Sequence, residues 1–395
     1  MSATRPEILR WARETAGLSL KDAARAIDLK PARGQSGAER LAALEKGAEQ
    51  PPRGILIKMA QAYRRPLIAF YLNAPPKTGD RGQDFRTLPG HERYNPGLDA
   101  LIRDIKGRQG LIKSMLEDAE SEPLGFVGSA TADMPVPILA KRVADHLQLR
   151  LTDFRAAKGA DEAFGYLRGK IEGAGVFVLL LGNLGSHHTN IPVEIFRGFA
   201  SSDQVAPLIV INDQDARSAW SFTALHELVH LWLGNTGISG IDAGIKIEQY
   251  CNDVAGEILV PAAELGAFPR GMAFNTAVKE ISDFAEQRRV SRAMVSYKLL
   301  RMGLISRSMW SDLSTHFHKE WLAFKERQAN KLRAAEGGPT YYVVRRHRVG
   351  QALLGLVRRS LDEGNVTYTK AGRVLGVKPR NVEPLLYSAA MRGGR

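Results

Sequence analysis

The sequence predicts an α+β protein: an N-terminal all-α bundle, a central unit in which a small β-sheet packs on a histidine-bearing helix, and a helical C-terminal region. Three observations predict it. Apolar residues recur at i, i+3 and i+4 over most of the chain. Short β-prone runs, "VFVLLLG", "EIFRGFA" and "APLIVIND", break that period after Gly175. The 395 residues, 44% of them apolar, suffice for two or three domains with separate cores.

Residues 1–75 read as short helices. "PEILRWARETAG" opens with Pro6 at a first-turn position and closes at Gly17. "LSLKDAARAIDL" has Ser19 as its cap, and "SGAERLAALEKG" has Ser36 as cap and Gly47 as stop. "PPRGILIKMAQAYRRPLIAFYL" supplies two more helices, broken at Pro66. The Pro/Gly-rich stretch around "NAPPKTGDRGQ" marks residues 76–97 as a linker. A central domain over 98–265 follows, opening with amphipathic helices at 98–121 and 136–148. "DEAFGYLRGKIEGAG" is a further helix, and the β-prone runs come after it. "WSFTALHELVHLWLG" is helical by length and spacing, and a second helix spans Ile247 to Val260 until Pro261 stops it. Residues 266–325 form a helical extension, with Ser291 as a cap. "ERQANKLRAAEGGPT" reads as a charged and then Gly/Pro break, within a basic helical region over 326–395. There "NVTYTKAGRVLGVKPRNVEPLL" reads helix, glycine turn, helix.

Charge separates the ends from the middle. Residues 1–75 carry a balance of +6 and residues 325–395 one of +10, while the segment between carries −3. Basic ends predict contact with a polyanion. Val176–Leu181, the longest apolar run, is far too short for a bilayer, and "MSATRPEILRWARETAG" lacks the apolar core of a signal peptide. With Cys251 as the single cysteine, the expectation is a cytoplasmic protein without membrane association.

The chemistry sits in the central domain. His226 and His230 are four apart, so on a helix they share one face with Cβ atoms roughly 5–6 Å apart. Both imidazoles can then hold one ion. Glu227 projects about 100° round from His226, beside the ion, where it can act as a proton relay. This is the H-E-x-x-H arrangement of zinc hydrolases. A catalytic zinc takes a third protein ligand and keeps one position open. Glu248 lies on the small and apolar face of the next helix, with Cys251, Asn252, Ala255 and Leu259. A carboxylate there needs a cation, and Asn252, one turn on, can orient a ligand. Asp242, in a Gly-rich loop, and Asp253 and Glu257, pointing off that face, are weaker candidates. The expected ion is Zn²⁺, with Mn²⁺ or another divalent ion as the alternative. A donor to the developing oxyanion is sought among His187, His188 and Tyr250, with His188 preferred.

The segments "DFRTLPG", "IPVEIFRGFASSDQVAPLIVINDQD", "FTALHELVHLWLG" and "IEQYCNDVAGEILVP" resemble the ImmA/IrrE family of metallopeptidases. "LSLKDAARAIDL" and "ERLAALEKGAEQP" resemble the XRE-type (Cro/repressor-like) helix-turn-helix that some members carry. The resemblance covers residues 6–90 and 175–265. It implies a zincin-like central domain with His226, His230 and Glu248 as zinc ligands and Glu227 as general base. It also implies cleavage of a repressor-like regulator, releasing genes under stress or mobile-element control. Val229 stands where many relatives have Gly before the second histidine, and "KPARGQSGAE" is longer than a compact turn.

In a helix-turn-helix the second helix enters the major groove. That places Gln35, Ser36, Glu39 and Arg40 at base edges, with Lys30 and Arg33 near phosphates. "RRHR" at 345–348, with Arg358, Arg359, Arg373, Lys378 and Arg380, offers further phosphate contacts or a solvated basic face. The expected partners are thus a protein substrate and DNA, with a homodimer as one assembly. The competing expectations are a DNA-binding regulator or an antitoxin-like protein whose metal site senses rather than cuts.

Overall fold

The structure is a computed structural model that describes residues 4–32, 34–76, 95–185, 189–234, 241–334 and 340–387. Its contacts divide the chain into two compact units.

The first unit is built from helices α1 (Pro6–Glu14), α2 (Leu20–Ala26), α3 (Gly37–Glu45) and α4 (Arg53–Ala62), with a 3-10 turn at Leu67–Tyr71. The start of α5 (Pro96–Asp118) and the Asn183–Ile191 segment belong to it as well. Local chemistry sets the helix ends: Pro6 opens α1, Ser19 caps α2, and Gly17 and Gly47 hold φ of +68° and +80° in the turns that follow α1 and α3. Leu9, Ile27, Leu41, Met59, Tyr63 and Phe70 form the core. A buried Arg13–Glu45 pair, with Nε to Oε1 at 2.7 Å, ties α1 to α3. That bond holds the Arg13 guanidinium above its ordinary pKa, against the desolvation that burial imposes.

The second unit continues α5 and adds α6 (Val136–His146), α7 (Leu151–Arg155) and α8 (Ala160–Gly173). Strands β1 (Phe177–Leu180), β2 (Gly198–Ser201) and β3 (Leu208–Ile211) follow. They form one sheet in the order β1-β3-β2. β1 lies parallel to β3, with Phe177 opposite Leu208, and β2 antiparallel to it, with Gly198 opposite Ile211. β1 and β3 are apolar and buried along their whole length, because helices cover both faces. Next come α9 (Arg217–Leu233), α10 (Ile241–Leu259), α11 (Ala262–Leu265), α12 (Phe274–Arg288) and α13 (Arg292–Arg301). The core runs continuously from Leu139 and Phe164 through the sheet and α9 to Val295 and Leu313.

Helix α14 (Arg307–Ala334) corrects one expectation. The charged "ERQANKLRAA" was expected to break the chain and instead continues this helix to Ala334. Glu, Arg, Gln, Ala, Lys and Leu are all good helix formers, so a loss of apolar pattern there means an exposed helix rather than a break. The chain ends in α15 (Tyr341–Val349), α16 (Gln351–Asp362), α17 (Tyr368–Leu375) and α18 (Val382–Tyr387). A buried Arg168–Glu172 pair docks these helices. Arg168 donates to the carbonyls of Val178 and His347, and Glu172 Oε2 accepts the N–H groups of Gln351 and Ala352 at the start of α16. No described helix is long and apolar enough to cross a membrane.

Candidate metal centre

Helix α9 is buried almost all round, from Trp220 through Trp232, because it lies between the sheet on one side and α8 and α10 on the others. It ends at Gly234 with φ +62°, whose N–H returns to the His230 and Leu231 carbonyls. Within this apolar setting His226 is 1% exposed and His230 12%. Their Nε2 atoms lie 3.0 Å apart.

Helix α10 packs along α9 and brings Glu248 to the same point. Its carboxylate oxygens lie 3.6 Å from His226 Nε2 and 3.2 Å from His230 Nε2. Those edges decide what fits between the three groups. Ligand atoms arranged tetrahedrally at about 2.0–2.1 Å from one ion stand about 3.3–3.4 Å from each other. The observed separations lie around that value, the two Glu248 distances being to different oxygens, and two imidazoles with one carboxylate form a donor set suited to a divalent ion. Glu248 remains 30% exposed, so the cluster opens toward solvent on that side.

Cys251, one turn beyond Glu248, is a donor that the sequence reading placed on this face without weighing it as a ligand. It is fully buried, and its Sγ and the histidine nitrogens all lie within 4.8 Å of one another. Its i+3 spacing from Glu248 was the available signal.

Burial alone would push the His230 imidazole down. The charge of the Cys251 sulfur, the hydrogen bonds of His230 to Cys251 and to the Glu248 carboxylate, and the Glu227 charge outweigh it, and His230 is held well above its usual range.

Glu227 is 2% exposed and turns toward the sheet. A Cβ on Gly198 of β2 would stand 2.6 Å from Thr223 Cγ2 and 3.1 Å from Glu227 Oε1. Glycine at 198 therefore lets the edge strand approach the glutamate at backbone distance. Val229 is fully buried in the core of the unit, so its side chain is a packing element.

Asn252 lines a cavity of about 250 Å³ with Phe222, Tyr297, Lys298 and Arg301, and its side chain reaches Tyr297. Asp253 pairs with Arg301 and Glu257 with Lys298. The Tyr250 hydroxyl donates to the Met134 carbonyl at 2.7 Å. His187, His188, the "DFRTLPG" segment, Arg33 and the side chain of Asp242 lie outside the described residues.

On the N-terminal unit, Ser36 and Glu39 satisfy one another. Ser36 Oγ accepts the Glu39 N–H, and Glu39 Oε2 accepts the Ser36 N–H at 2.7 Å. Arg40 donates to the Lys30 carbonyl, and Lys30 pairs with Asp28. Gln35 is exposed beside them. The connection from Ile27 to Ser36 is longer than the usual turn of about 3–4 residues.

The "RRHR" run does not form a phosphate-facing patch. Arg345 donates to the Leu375 and Gly376 carbonyls, Arg346 to those of Leu385 and Pro384, and Arg348 pairs with Asp213. The His347 ring lies tilted beside Trp220, their centroids 6.1 Å apart. These cations staple the C-terminal helices because carbonyls at helix ends otherwise lack donors.

No curated protein and no solved structure matches the chain. Residues 186–300 match the family model described as the IrrE N-terminal-like domain, peptidase family M78. That segment carries β2, β3, α9 and α10, and with them every donor of the cluster, and the match supports a relationship to the ImmA/IrrE peptidases.

Proposed function

We propose that the protein is a zinc-dependent endopeptidase that cleaves a repressor-like transcription regulator and carries a DNA-binding helix-turn-helix at its N-terminus. The observation that carries this reading is the convergence of His226, His230 and Glu248 at mutual distances of 3.0–3.6 Å, with Glu227 buried alongside. Zinc in that position supplies a Lewis acid and lowers the pKa of water to about 7. Glu227 accepts the proton from the attacking water and delivers it to the leaving amine.

Gly198, Phe199 and Ala200 of the edge strand are buried, so a substrate would reach the cluster from the Glu248 side, which is 30% exposed.

Incubating the zinc-loaded protein with a repressor-like regulator should give discrete fragments, and stripping the metal with a chelator should stop the reaction until zinc is restored. Fragments that continue to appear in the metal-free protein would reject a metallopeptidase.

The raised His230 imidazole adds a pH prediction. A histidine must be neutral to bind metal, so a proton on His230 competes with zinc and affinity falls as pH drops. Calorimetry in buffers of different ionisation enthalpy should show about one proton released per zinc at neutral pH. No proton release would show that His230 is already neutral in the metal-free protein.

A second reading has Cys251 in its favour. A site with Cys251 as well as Glu248 around the ion would have all four positions filled, which is the pattern of structural sites. The protein would then be a DNA-binding or antitoxin-like regulator whose metal site senses. It would show metal-dependent operator affinity and no fragments.

A further inference from the structure

The C-terminal helices keep a set of cations that the fold does not use. Arg345, Arg346 and Arg348 are consumed internally. Arg358, Arg359, Arg373, Lys378 and Arg380 are exposed, and none has an ion-pair partner among the described residues. Of the nearby acids, Asp362 accepts the Tyr387 hydroxyl and Glu363 accepts from Asn365, while Glu383 stands exposed in the first turn of α18. Exposed and without an ion pair among the described residues, these cations leave the C-terminal helices with an excess of positive charge that a polyanion would neutralise.

The backbone beneath them has a specific form. α17 has eight residues, capped by Thr367, whose Oγ1 accepts the Lys370 N–H at 3.2 Å. It stops at Gly376, with φ +64°, and the Val377 N–H returns to the Gly372 carbonyl at 2.8 Å. Only Gly376, Val377 and Lys378 then separate α17 from the 3-10 turn Pro379–Asn381, which runs into α18. The chain doubles back tightly: a Cβ on Gly372 would stand 2.8 Å from the Val377 carbonyl oxygen and 3.3 Å from Pro379 N. Ala371, Val374 and Leu375 of α17 and Val382 and Leu385 of α18 are buried. Buried Arg345 holds the Leu375 and Gly376 carbonyls in place. Two short helices joined by a three-residue turn containing glycine are the helix-turn-helix arrangement, and here the close approach at Gly372 enforces it.

We propose that α16–α18 form a DNA-docking helix-turn-helix, separate from the N-terminal unit, that binds duplex DNA. Lys378, in the turn, and Arg380, in the 3-10 turn before α18, meet phosphates bordering the groove. Arg373, one turn after Thr369 on the exposed side of α17, contacts the flanking phosphates with Arg358 and Arg359. A duplex is the partner because the second helix of a helix-turn-helix fits a major groove, and Tyr368 is the one large exposed aromatic among the described residues of α16–α18 to stack single-stranded bases.

The test uses the full-length protein and a fluorescent 30-base-pair duplex of mixed sequence, with anisotropy measured from about 50 to 200 mM salt. Arg373→Ala/Lys378→Ala/Arg380→Ala should weaken binding by about ten- to a hundredfold and flatten the log–log salt slope by about 2.7. The charge-keeping variant Arg373→Lys/Lys378→Arg/Arg380→Lys should retain the wild-type slope. All three side chains are exposed, so an unchanged melting temperature and metal content should accompany the loss. Because none of them lies on α9 or α10, loss of duplex binding with the metal retained isolates the C-terminal helices from the peptidase reading. Wild-type affinity and slope in the alanine variant would overturn the proposal, as would displacement of the duplex by single-stranded RNA of equal length at lower concentration.

Discussion

A Glu227→Gln protein should bind zinc as the wild type does and lose peptide hydrolysis by about 10²–10⁴-fold. Glutamine preserves the shape that fits against Gly198 and Thr223, so the sheet and α9 keep their packing. What it removes is the carboxylate that accepts a proton. Glu227 is not among the three groups whose donor atoms converge, so metal stoichiometry should stay unchanged. One secondary effect is expected: Glu227 is among the charges that raise His230, and its loss should ease that imidazole downward and slightly favour metal over proton. Single-turnover cleavage of a labelled regulator, read on gels beside metal content, separates the two quantities. A variant that cuts at the wild-type rate would show that the proton is handled by another group.

The sequence made the central site legible because its signal is periodic. Histidines four apart in an apolar helix can face only one way, and Glu248 on the small-residue face of the next helix has few places to go. The β-prone runs were equally plain, although "EIFRGFA" is a strand only from Gly198 onward, where it meets β3. Less legible was whatever depends on a partner far along the chain. Arg345 and Arg346 look like a phosphate patch until the carbonyls of α17 and α18 arrive beside them. Asn252 shares a helix face with Glu248 in projection, yet its side chain reaches Tyr297 of α13, which no local pattern announces. The extent of α14 was missed for a different reason: an exposed helix has no apolar stripe to read, and only its propensity marks it.

Replacing Glu248 with Ala should lower zinc affinity by more than about 100-fold, whereas Cys251→Ser should cost less than about tenfold. The expectation rests on charge and access. One Glu248 oxygen stands 3.6 Å from His226 Nε2 and the other 3.2 Å from His230 Nε2, while the Cys251 sulfur, hydrogen-bonded to His230, lies within 4.8 Å of both imidazole nitrogens and is fully buried. Zinc–sulfur bonds run about 2.3 Å, which demands a nitrogen–sulfur edge of about 3.6 Å, so Cys251 must come close to share the ion. Its buried position on α10 serves packing without that. Glu248 is also the partly exposed member of the cluster, so an ion held by His226, His230 and Glu248 would face solvent on the carboxylate side, where water and a peptide can reach it. X-ray absorption of the zinc-loaded protein should accordingly show nitrogen and oxygen neighbours without a sulfur shell. A sulfur shell together with a large loss in Cys251→Ser would mean a filled coordination sphere. Hydrolysis would then lack a vacant position, and the regulator reading would account for the site.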